Sequence, residues 1–278
     1  MVLAPDIAGF SRLITALDPW LDRVVIVGGW AHRLYHLHPS AQTLDFAPLM
    51  TLDADVALPR TLPAQTPTIR DALVANGFEE EFRGDDMPPA TLYHLGDKDS
   101  GFYAEFLTPL TGSEYTRSGK RKATAQVAGV NSQQLRFIEL LLNNPWTVEL
   151  RVEDFELPAP KVVRVANPVG FLAQKMLIHQ KRSAEDQAKD ILYVHDTLQV
   201  FGARLDDLRD EWTGRVRPGL HSKAAKTVET AHTWLFGEMT DVIRVAASIA
   251  ADRRLTPEGV RESCQYGLQQ IMTGVRQS

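Results

Sequence analysis

The chain contains a single cysteine, Cys264, among its 278 residues. One thiol excludes an internal disulfide and a zinc site built from several thiolates. No uninterrupted apolar run approaches the roughly 20 residues that a membrane-spanning helix needs. The N-terminal sequence Met-Val-Leu-Ala-Pro-Asp lacks the basic region and the apolar core of a secretory signal. These absences predict a protein of the reducing cytoplasm that has no membrane partner.

Positive charge is also low, since the chain has 30 Lys and Arg residues but 35 Asp and Glu residues, which gives a net charge of −5. The chain as a whole therefore offers no general attraction for nucleic acid, and DNA is not expected as a partner. Any RNA contact requires a local basic patch. The most basic run covers residues 117–122, which form a solvated loop in one interpretation and a mobile clamp for an RNA backbone in the other.

Two short segments carry the most information about chemistry. Residues 26–30, Ile-Val-Gly-Gly-Trp, lead from an apolar strand into paired glycines, and residues 51–58 form a second apolar strand that contains two aspartates. Because strand side chains alternate in direction, Asp53 and Asp55 point to the same side of a sheet. Adjacent carboxylates repel each other and are costly to bury without a cation. The pattern predicts a divalent metal site.

The paired glycines suit the binding of a phosphate group. A turn at Gly28 and Gly29 lets backbone N–H groups approach a phosphate closely at the start of the helix that contains Trp30. Arg33 lies one turn into this helix and is either a further phosphate contact or an ordinary surface arginine. Together with the aspartate pair, this turn predicts metal-dependent chemistry on a nucleotide.

The remaining pattern predicts an α/β (α+β) fold in two domains. Residues 1–167 should form a mixed sheet with flanking helices, and residues 168–278 a helical C-terminal domain, because almost all spacing after Asn167-Pro168 is helical. The predicted helices of the first domain cover residues 7–19, 30–38 and 69–76. The predicted strands cover residues 24–27, 49–58, 78–83, 91–95, 102–107, 135–142, 146–152 and 162–165.

Glu105 is the third acidic candidate, in the strand Phe-Tyr-Ala-Glu-Phe-Leu. It is either a solvent-facing residue of an edge strand or a third metal ligand or general base beside Asp53 and Asp55. In the second interpretation Mg²⁺ (or Mn²⁺) is held by carboxylates together with the oxygens of a nucleoside triphosphate. The third carboxylate then helps to deprotonate an attacking hydroxyl group.

Lys175 and Asp190 are candidates in the helical region. Lys175 interrupts an otherwise apolar helix, so it either extends its ammonium group to solvent or pairs with a triphosphate as a point charge. Asp190 opens the apolar part of the next helix and would orient Lys175, although an exposed pair formed by Lys189 and Asp190 is the plainer alternative.

This order of motifs resembles the polymerase-β-like nucleotidyltransferase superfamily. The shared pattern is a Gly-Gly turn, then Asp-x-Asp, then a third acid on a later strand, here Gly28, Gly29, Asp53, Asp55 and Glu105. The resemblance implies an NTP substrate, a nucleotidyltransferase fold, and transfer of a nucleoside monophosphate to an acceptor hydroxyl with release of pyrophosphate.

More narrowly, the chain resembles the AbiEii-like (type IV toxin) and MenT-like toxin branch over residues 20–200. That branch adds a helical lysine, matched by Lys175, and a Lys/Arg-Asp motif about fifteen residues later, matched by Lys189 and Asp190. This resemblance implies a toxin that modifies RNA, namely the 3′ end of tRNA, and a separate antitoxin protein as partner.

Three positions need comment against this pattern. The usual Gly-Gly-Ser/Thr is Gly-Gly-Trp here, at Trp30, which also resembles the start of aminoglycoside and lincosamide nucleotidyltransferases. A second aspartate often follows the Lys/Arg-Asp motif, and here the residue is Tyr193. Thr51 stands where some toxin relatives carry a hydroxyl under regulatory phosphorylation. A small-molecule nucleotidyltransferase and a degenerate nucleotide-sensing module therefore remain as alternatives.

Overall fold

The computed structural model describes residues 4–84, 86–97, 101–117, 119 and 122–273. The strands within these residues are β1 (Val25–Val27), β2 (Asp53–Ala57), β3 (Glu79–Arg83), β4 (Ala90–Leu95), β5 (Phe102–Pro109), β6 (Thr124–Val127), β7 (Val130–Leu135), β8 (Trp146–Leu150) and β9 (Lys161–Val165). The α-helices are α1 (Pro5–Ala16), α2 (Gly28–Tyr35), α3 (Ile69–Ala75), α4 (Ile138–Leu142), α5 (Val152–Phe155), α6 (Pro168–Ile178), α7 (Ala184–Val200), α8 (Leu205–Glu211), α9 (Ser222–Glu229), α10 (Ala231–Trp234), α11 (Asp241–Ile249) and α12 (Pro257–Met272).

The chain divides into two compact units. The first contains Met1–Leu37 and Met50–Ala166, and the second contains His38–Leu49 together with everything from Asn167 onward. The division at residues 166 and 167 lies beside the Asn167-Pro168 step at which the sequence pattern becomes helical. The sequence pattern assigns the segment His38–Leu49 to the first domain, whereas the structure places it in the second unit.

The first unit is built on one mixed sheet with the strand order β3-β4-β5-β2-β1-β9-β8. Strand β2 is antiparallel to β1 and parallel to β5, so it occupies the centre of the sheet. A hairpin of β6 and β7 joins the far end of β5, where β7 runs parallel to it. The fold class predicted from sequence, a mixed sheet with flanking helices followed by a helical region, is confirmed.

Helices cover one face of this sheet and bury its aromatic side chains. Phe10 of α1 stacks on Trp30 with ring centroids 3.8 Å apart, and Phe102 of β5 meets Trp30 edge-on at 6.4 Å. Gly9 permits this packing, since a Cβ atom there would lie 2.3 Å from Cγ of Phe102. The apolar residues of β2 and β5 face this core, and the polar residues between them face the other side of the sheet.

The second unit is helical, and α7 lies at its centre in contact with α6, α11 and α12. Large apolar residues such as Trp212 and Phe236 are fully buried in it. The segment His38–Leu49 is held within this unit by hydrogen bonds from Gln42, whose backbone N–H donates to the carbonyl of Val200 (2.9 Å). None of the helices in the described ranges is both long and apolar enough to cross a membrane.

One predicted strand was wrong. The run at 135–142 splits into the last residue of β7 and the helix α4, because Phe137 between them adopts a left-handed conformation (φ 66°) that turns the chain. A short apolar run does not distinguish a buried strand from a buried helix. The hairpin of β6 and β7 was missed because its residues are largely polar and give no apolar alternation.

Candidate active site

The centre of the sheet presents the two aspartates on one face. Along β2 the partly exposed Asp53 and Asp55 alternate with Ala54 and Val56, which are completely buried. The predicted alternation is therefore what the structure shows, and both carboxylates leave the sheet on the side opposite the aromatic core.

Glu105 lies beside this pair on the neighbouring strand. In the parallel pairing of β2 and β5, Asp55 is in register with Glu105, and Asp53 with Tyr103. Register partners on adjacent strands share a face of the sheet. Burial, followed by repulsion from Asp55 and Asp53, raises the pKa of Glu105 to about 7. The same burial and nearby carboxylates raise the pKa of Tyr103 to about 12.

The glycine turn touches the aspartate pair directly. Gly28 follows β1 with a φ of +61°, and a Cβ atom at this position would lie 2.0 Å from Oδ2 of Asp55. Both the left-handed backbone and this close approach require glycine. Gly29 is buried in the first turn of α2. The start of α2 thus lies next to the Asp55 carboxylate, as expected for a site that holds phosphate near a cation.

We predict that Gly28→Ala damages catalysis far more than folding. The left-handed conformation costs alanine about 1–2 kcal/mol, and displacement of the Asp55 carboxylate by about 1 Å can cost on the order of 10²-fold in rate. Gly84→Ala is the matched control, since Gly84 also has a positive φ (+80°) and a Cβ atom added there would have no atom within 4 Å. Equal losses of activity in the two variants would contradict the contact with Asp55.

Two polar side chains secure the carboxylates. The hydroxyl of Thr51, which is 5% exposed, donates a hydrogen bond to Oδ1 of Asp53. The amide of Gln133 on β7 donates to Oε1 of Glu105. No pattern in the sequence indicates Gln133, because the strand that carries it is largely polar. Tyr103 was also missed, although its place two residues before Glu105 on the same strand would have indicated a shared face.

Trp30 and Arg33 serve packing in this structure. Trp30 is completely buried against Phe10, so its side chain is not placed to touch a nucleotide and only the backbone at this position can do so. The guanidinium of Arg33 pairs with the buried carboxylate of Asp6 and lies 4.8 Å from the Trp30 ring centroid. These contacts leave Trp30 to bind a nucleotide through its backbone only, and they argue against the predicted phosphate contact of Arg33.

Lys175 and Asp190 form a buried ion pair in the second unit. Lys175 Nζ lies 2.6 Å from Oδ1 of Asp190, and the two side chains are 10% and 2% exposed. The rings of Phe171 and Tyr193 each lie with their centroids 5.3 Å from Nζ. Lys175 and Asp190 are thus direct partners, and the orientation of Lys175 towards a triphosphate stays a prediction. Tyr193 contributes an aromatic face to the same ammonium group.

The candidate ligands for a metal ion are the carboxylates of Asp53, Asp55 and Glu105. Among residues 4–273 as far as they are described, no three His, Cys, Asp or Glu side chains form a group that could hold a metal. The structure therefore lends no support to Glu105 as a third ligand. Asp53 and Asp55 do fit Mg²⁺ or Mn²⁺, because such ions take one or two protein carboxylates and complete their shell with water and phosphate oxygens.

The basic run at 117–122 is described only in part. Residues 118, 120 and 121 lie outside the described residues, so the expected RNA clamp is not placed by the structure.

Comparison with known proteins gives one match. A family model with the description "Nucleotidyltransferase" matches residues 6–216, which include the aspartate pair, Glu105, Lys175 and Asp190. No curated protein and no solved structure matches the chain. A match over most of the chain identifies an NTP-dependent enzyme that transfers a nucleoside monophosphate. The chain belongs to this nucleotidyltransferase family.

Proposed function

We propose that this nucleotidyltransferase uses Mg²⁺ (or Mn²⁺), held by Asp53 and Asp55, to transfer a nucleoside monophosphate to an acceptor hydroxyl. The observation that carries the proposal is the register of β2 and β5, which sets Glu105 beside Asp55 while Gly28 contacts the same carboxylate. The bound ion would neutralise charge on the phosphates and polarise the phosphorus centre under attack.

In this proposal Glu105 is the general base. The oxygen of the acceptor hydroxyl forms a bond to the α-phosphorus of the NTP, and the bond from that phosphorus to the bridging oxygen breaks, releasing pyrophosphate. The hydroxyl proton passes to Glu105. Without a metal, burial and repulsion from Asp55 and Asp53 raise the pKa of Glu105 to about 7. A cation on the two aspartates would lower that pKa, so that Glu105 is ionised at neutral pH and can accept the proton. Gln133 keeps one oxygen of Glu105 occupied and so orients the other.

The phosphates would be held by backbone and by a lysine. The N–H groups at Gly28 and Gly29 supply donors at a helix start, where the helix dipole also favours anions. Lys175 supplies a positive charge for the triphosphate, with Asp190 as a positioning residue that holds the ammonium group. The role of Lys175 rests on the family resemblance together with the observed ion pair.

We further propose that the acceptor is RNA, at the 3′ end of tRNA, and that the protein is a toxin restrained by an antitoxin protein. The support is the match of Lys175, Lys189 and Asp190 to the toxin branch. A small cationic acceptor of the aminoglycoside type is the second candidate, and the net charge of −5 favours it.

The deciding experiment incubates the purified protein with Mg²⁺ and each labelled NTP in turn. One set of reactions contains total tRNA, and the other a panel of aminoglycosides. Label on tRNA, together with growth arrest when the protein is expressed in bacteria, supports the toxin. Label on aminoglycosides alone supports the second candidate. NTP binding without transfer to any acceptor would overturn both and indicate a sensing module.

The proposal also predicts how stability depends on pH in the metal-free protein. The pKa of Glu105 is raised from an ordinary 4.5 to about 7, so between these values the folded state holds a proton that the unfolded state has released. Stability from this group is therefore complete below about pH 4.5 and is lost as pH rises through about 7. Glu105→Gln removes this loss.

We expect the melting temperature of the wild type in EDTA to fall relative to that of Glu105→Gln as pH rises from about 5 to about 8. Mg²⁺ should make this fall smaller and end it at a lower pH, because a cation favours the charged carboxylate and so lowers the pKa of Glu105 in the folded state. Glu139→Gln is the control, since Glu139 is exposed in the first turn of α4. If the melting temperatures of the wild type and of Glu105→Gln change with pH in parallel, the coupling among the three acids is contradicted.

A further inference from the structure

The second unit has a surface groove that the proposed chemistry does not use. Its volume is about 370 Å³, and it is lined by Gln180, Lys223, Lys226, Thr227, Thr230 and Trp234. The two lysines are three residues apart on α9, so they lie on the same side of that helix. Both are exposed. The lining thus combines two ammonium groups, hydrogen-bonding side chains and one large aromatic ring.

The groove has a positive charge that its surroundings do not neutralise. Among the described residues, Lys223 and Lys226 have no carboxylate within salt-bridge distance, and the same holds for Lys181 beside the groove. The only acid of α9, Glu229, is already paired with Arg217 at 2.6 Å. The arginines of this unit that do have a carboxylate partner are Arg182, Arg204, Arg209, Arg215, Arg217, Arg244, Arg253 and Arg261. In a chain of net charge −5, these unpaired lysines form a local patch of positive charge.

Trp234 gives the groove a fixed aromatic wall. Its indole Nε1 donates to the carbonyl of Thr227 on α9 at 2.9 Å, which holds the half-buried ring against the helix that carries the lysines. Aromatic rings next to cations bind single-stranded nucleic acid well, because bases stack on the ring while phosphates meet the charge. A duplex, whose bases are already stacked, could not use the ring in this way.

The groove adjoins the Lys175 pair. His179 lies with its ring centroid 6.1 Å from that of Trp234. His179 and Leu235 also line a small enclosed gap together with Lys175 and Asp190. One continuous set of side chains within the second unit therefore leads from the proposed triphosphate lysine to the groove.

We propose that this groove binds the single-stranded end of the acceptor RNA, with Lys223 and Lys226 at its phosphates and Trp234 stacked on a base. The inference rests on the proposed function and adds to it the place at which the acceptor strand is held.

The test measures binding of a fluorescent single-stranded RNA of about 12 nucleotides, which exceeds many single-strand binding sites, by anisotropy at several salt concentrations. Lys223→Glu/Lys226→Glu should weaken binding at least about tenfold and lower the salt slope by about 1.4, since each phosphate contact on a single strand contributes about 0.7. Trp234→Leu should weaken binding about tenfold, and Trp234→Phe should restore most of it.

The charge-matched control is Arg204→Glu/Arg244→Glu. These arginines are 54% and 55% exposed, and their partners Asp207 and Asp241 are exposed as well, so the change of net charge is equal while the groove is intact. Equal loss of RNA binding in both double variants would show a general charge effect. That result would overturn the proposed binding of RNA in the groove.

Failure of the groove and failure of the proposed function give different results. If the wild type labels tRNA and the groove variants do so with unchanged KM for tRNA, the groove is wrong and the function stands. If the wild type binds NTP but neither binds RNA nor labels it, the proposed acceptor is wrong. Salt-dependent binding of poly-glutamate without binding of RNA would assign the groove to an acidic protein partner and overturn the proposal.

Discussion

Replacing Asp55 by asparagine is expected to slow nucleoside monophosphate transfer on the order of 10³-fold while the protein stays folded. Asn has the same shape as Asp, and it occupies a site where Gly28 leaves no room for a larger group. It removes one negative charge and thereby the main attraction for a divalent cation. Loss of the several kcal/mol that a bound metal contributes to the transition state corresponds to a fall in rate on the order of 10³-fold.

The same substitution, Asp55→Asn, should leave the stability of the metal-free protein unchanged or raise it. Burial raises the pKa of Glu105 in the metal-free protein, and repulsion from Asp55 and Asp53 raises it further. Asp55→Asn relieves part of that repulsion, so its melting temperature in EDTA should equal or exceed that of the wild type. A gain in stability coupled with a loss of activity is typical of a functional site whose charges serve a ligand.

The measurements are transfer of label from NTP to acceptor and thermal shift with NTP. In the wild type, NTP should raise the melting temperature only when Mg²⁺ is present, and Asp55→Asn should lose this effect. Asp241→Asn is the control, because Asp241 is 94% exposed on α11 in the second unit. Retention of full transfer activity in Asp55→Asn would rule out the proposed mechanism.

The aspartate pair could be predicted from the sequence because it depends on local geometry alone. Alternation along one strand fixes the common face of Asp53 and Asp55, whatever the rest of the sheet does. Alternation along one strand does not predict the position of Glu105 beside this pair. That position depends on the order and register of β2 and β5, which are set by packing between distant segments. The family resemblance supplied that information, and periodicity did not.

The residues that sequence analysis missed or misjudged depend on tertiary contacts. Gln133 belongs to a polar strand whose pairing with β5 leaves no hydrophobic signal. Trp30 and Arg33 follow the glycine turn closely in sequence, but a helix turns about 100° per residue, so they face Phe10 and Asp6 in the core. Nearness in sequence to a binding motif is thus weak evidence for contact with the ligand.

The assignment of residues 38–49 differs for a related reason. This segment has little regular structure, and its place in the second unit is fixed by single contacts. The guanidinium of Arg253 donates to the carbonyl of Ala47 at 2.7 Å and lies 4.1 Å from the ring centroid of Phe46. Another nitrogen of the Arg253 guanidinium pairs with the fully buried carboxylate of Asp196. No pattern in the sequence connects residues about 200 positions apart.

Replacing Asp190 should cause the largest loss of stability. Asp190→Ala leaves the buried Lys175 without its carboxylate and facing the rings of Phe171 and Tyr193. Removal of one member of a buried ion pair typically costs about 3–5 kcal/mol. Lys175→Met should cost less, because the half-exposed Arg182 still lies 3.4 Å from the remaining carboxylate. Chemical denaturation measures both values, and Asp207→Asn, whose carboxylate is 64% exposed, should cost under about 1 kcal/mol.

The double variant Lys175→Met/Asp190→Leu separates the structural role of the pair from its proposed role in catalysis. Replacing both charges by apolar groups of similar size leaves no buried charge unpaired, so stability should return to within about 1–2 kcal/mol of the wild type. Transfer activity should stay low, with a raised KM for NTP, since the positive charge for the triphosphate is gone. If stability and activity return together, the pair serves folding alone, and the phosphates must be neutralised by the metal and by the backbone donors at Gly28 and Gly29.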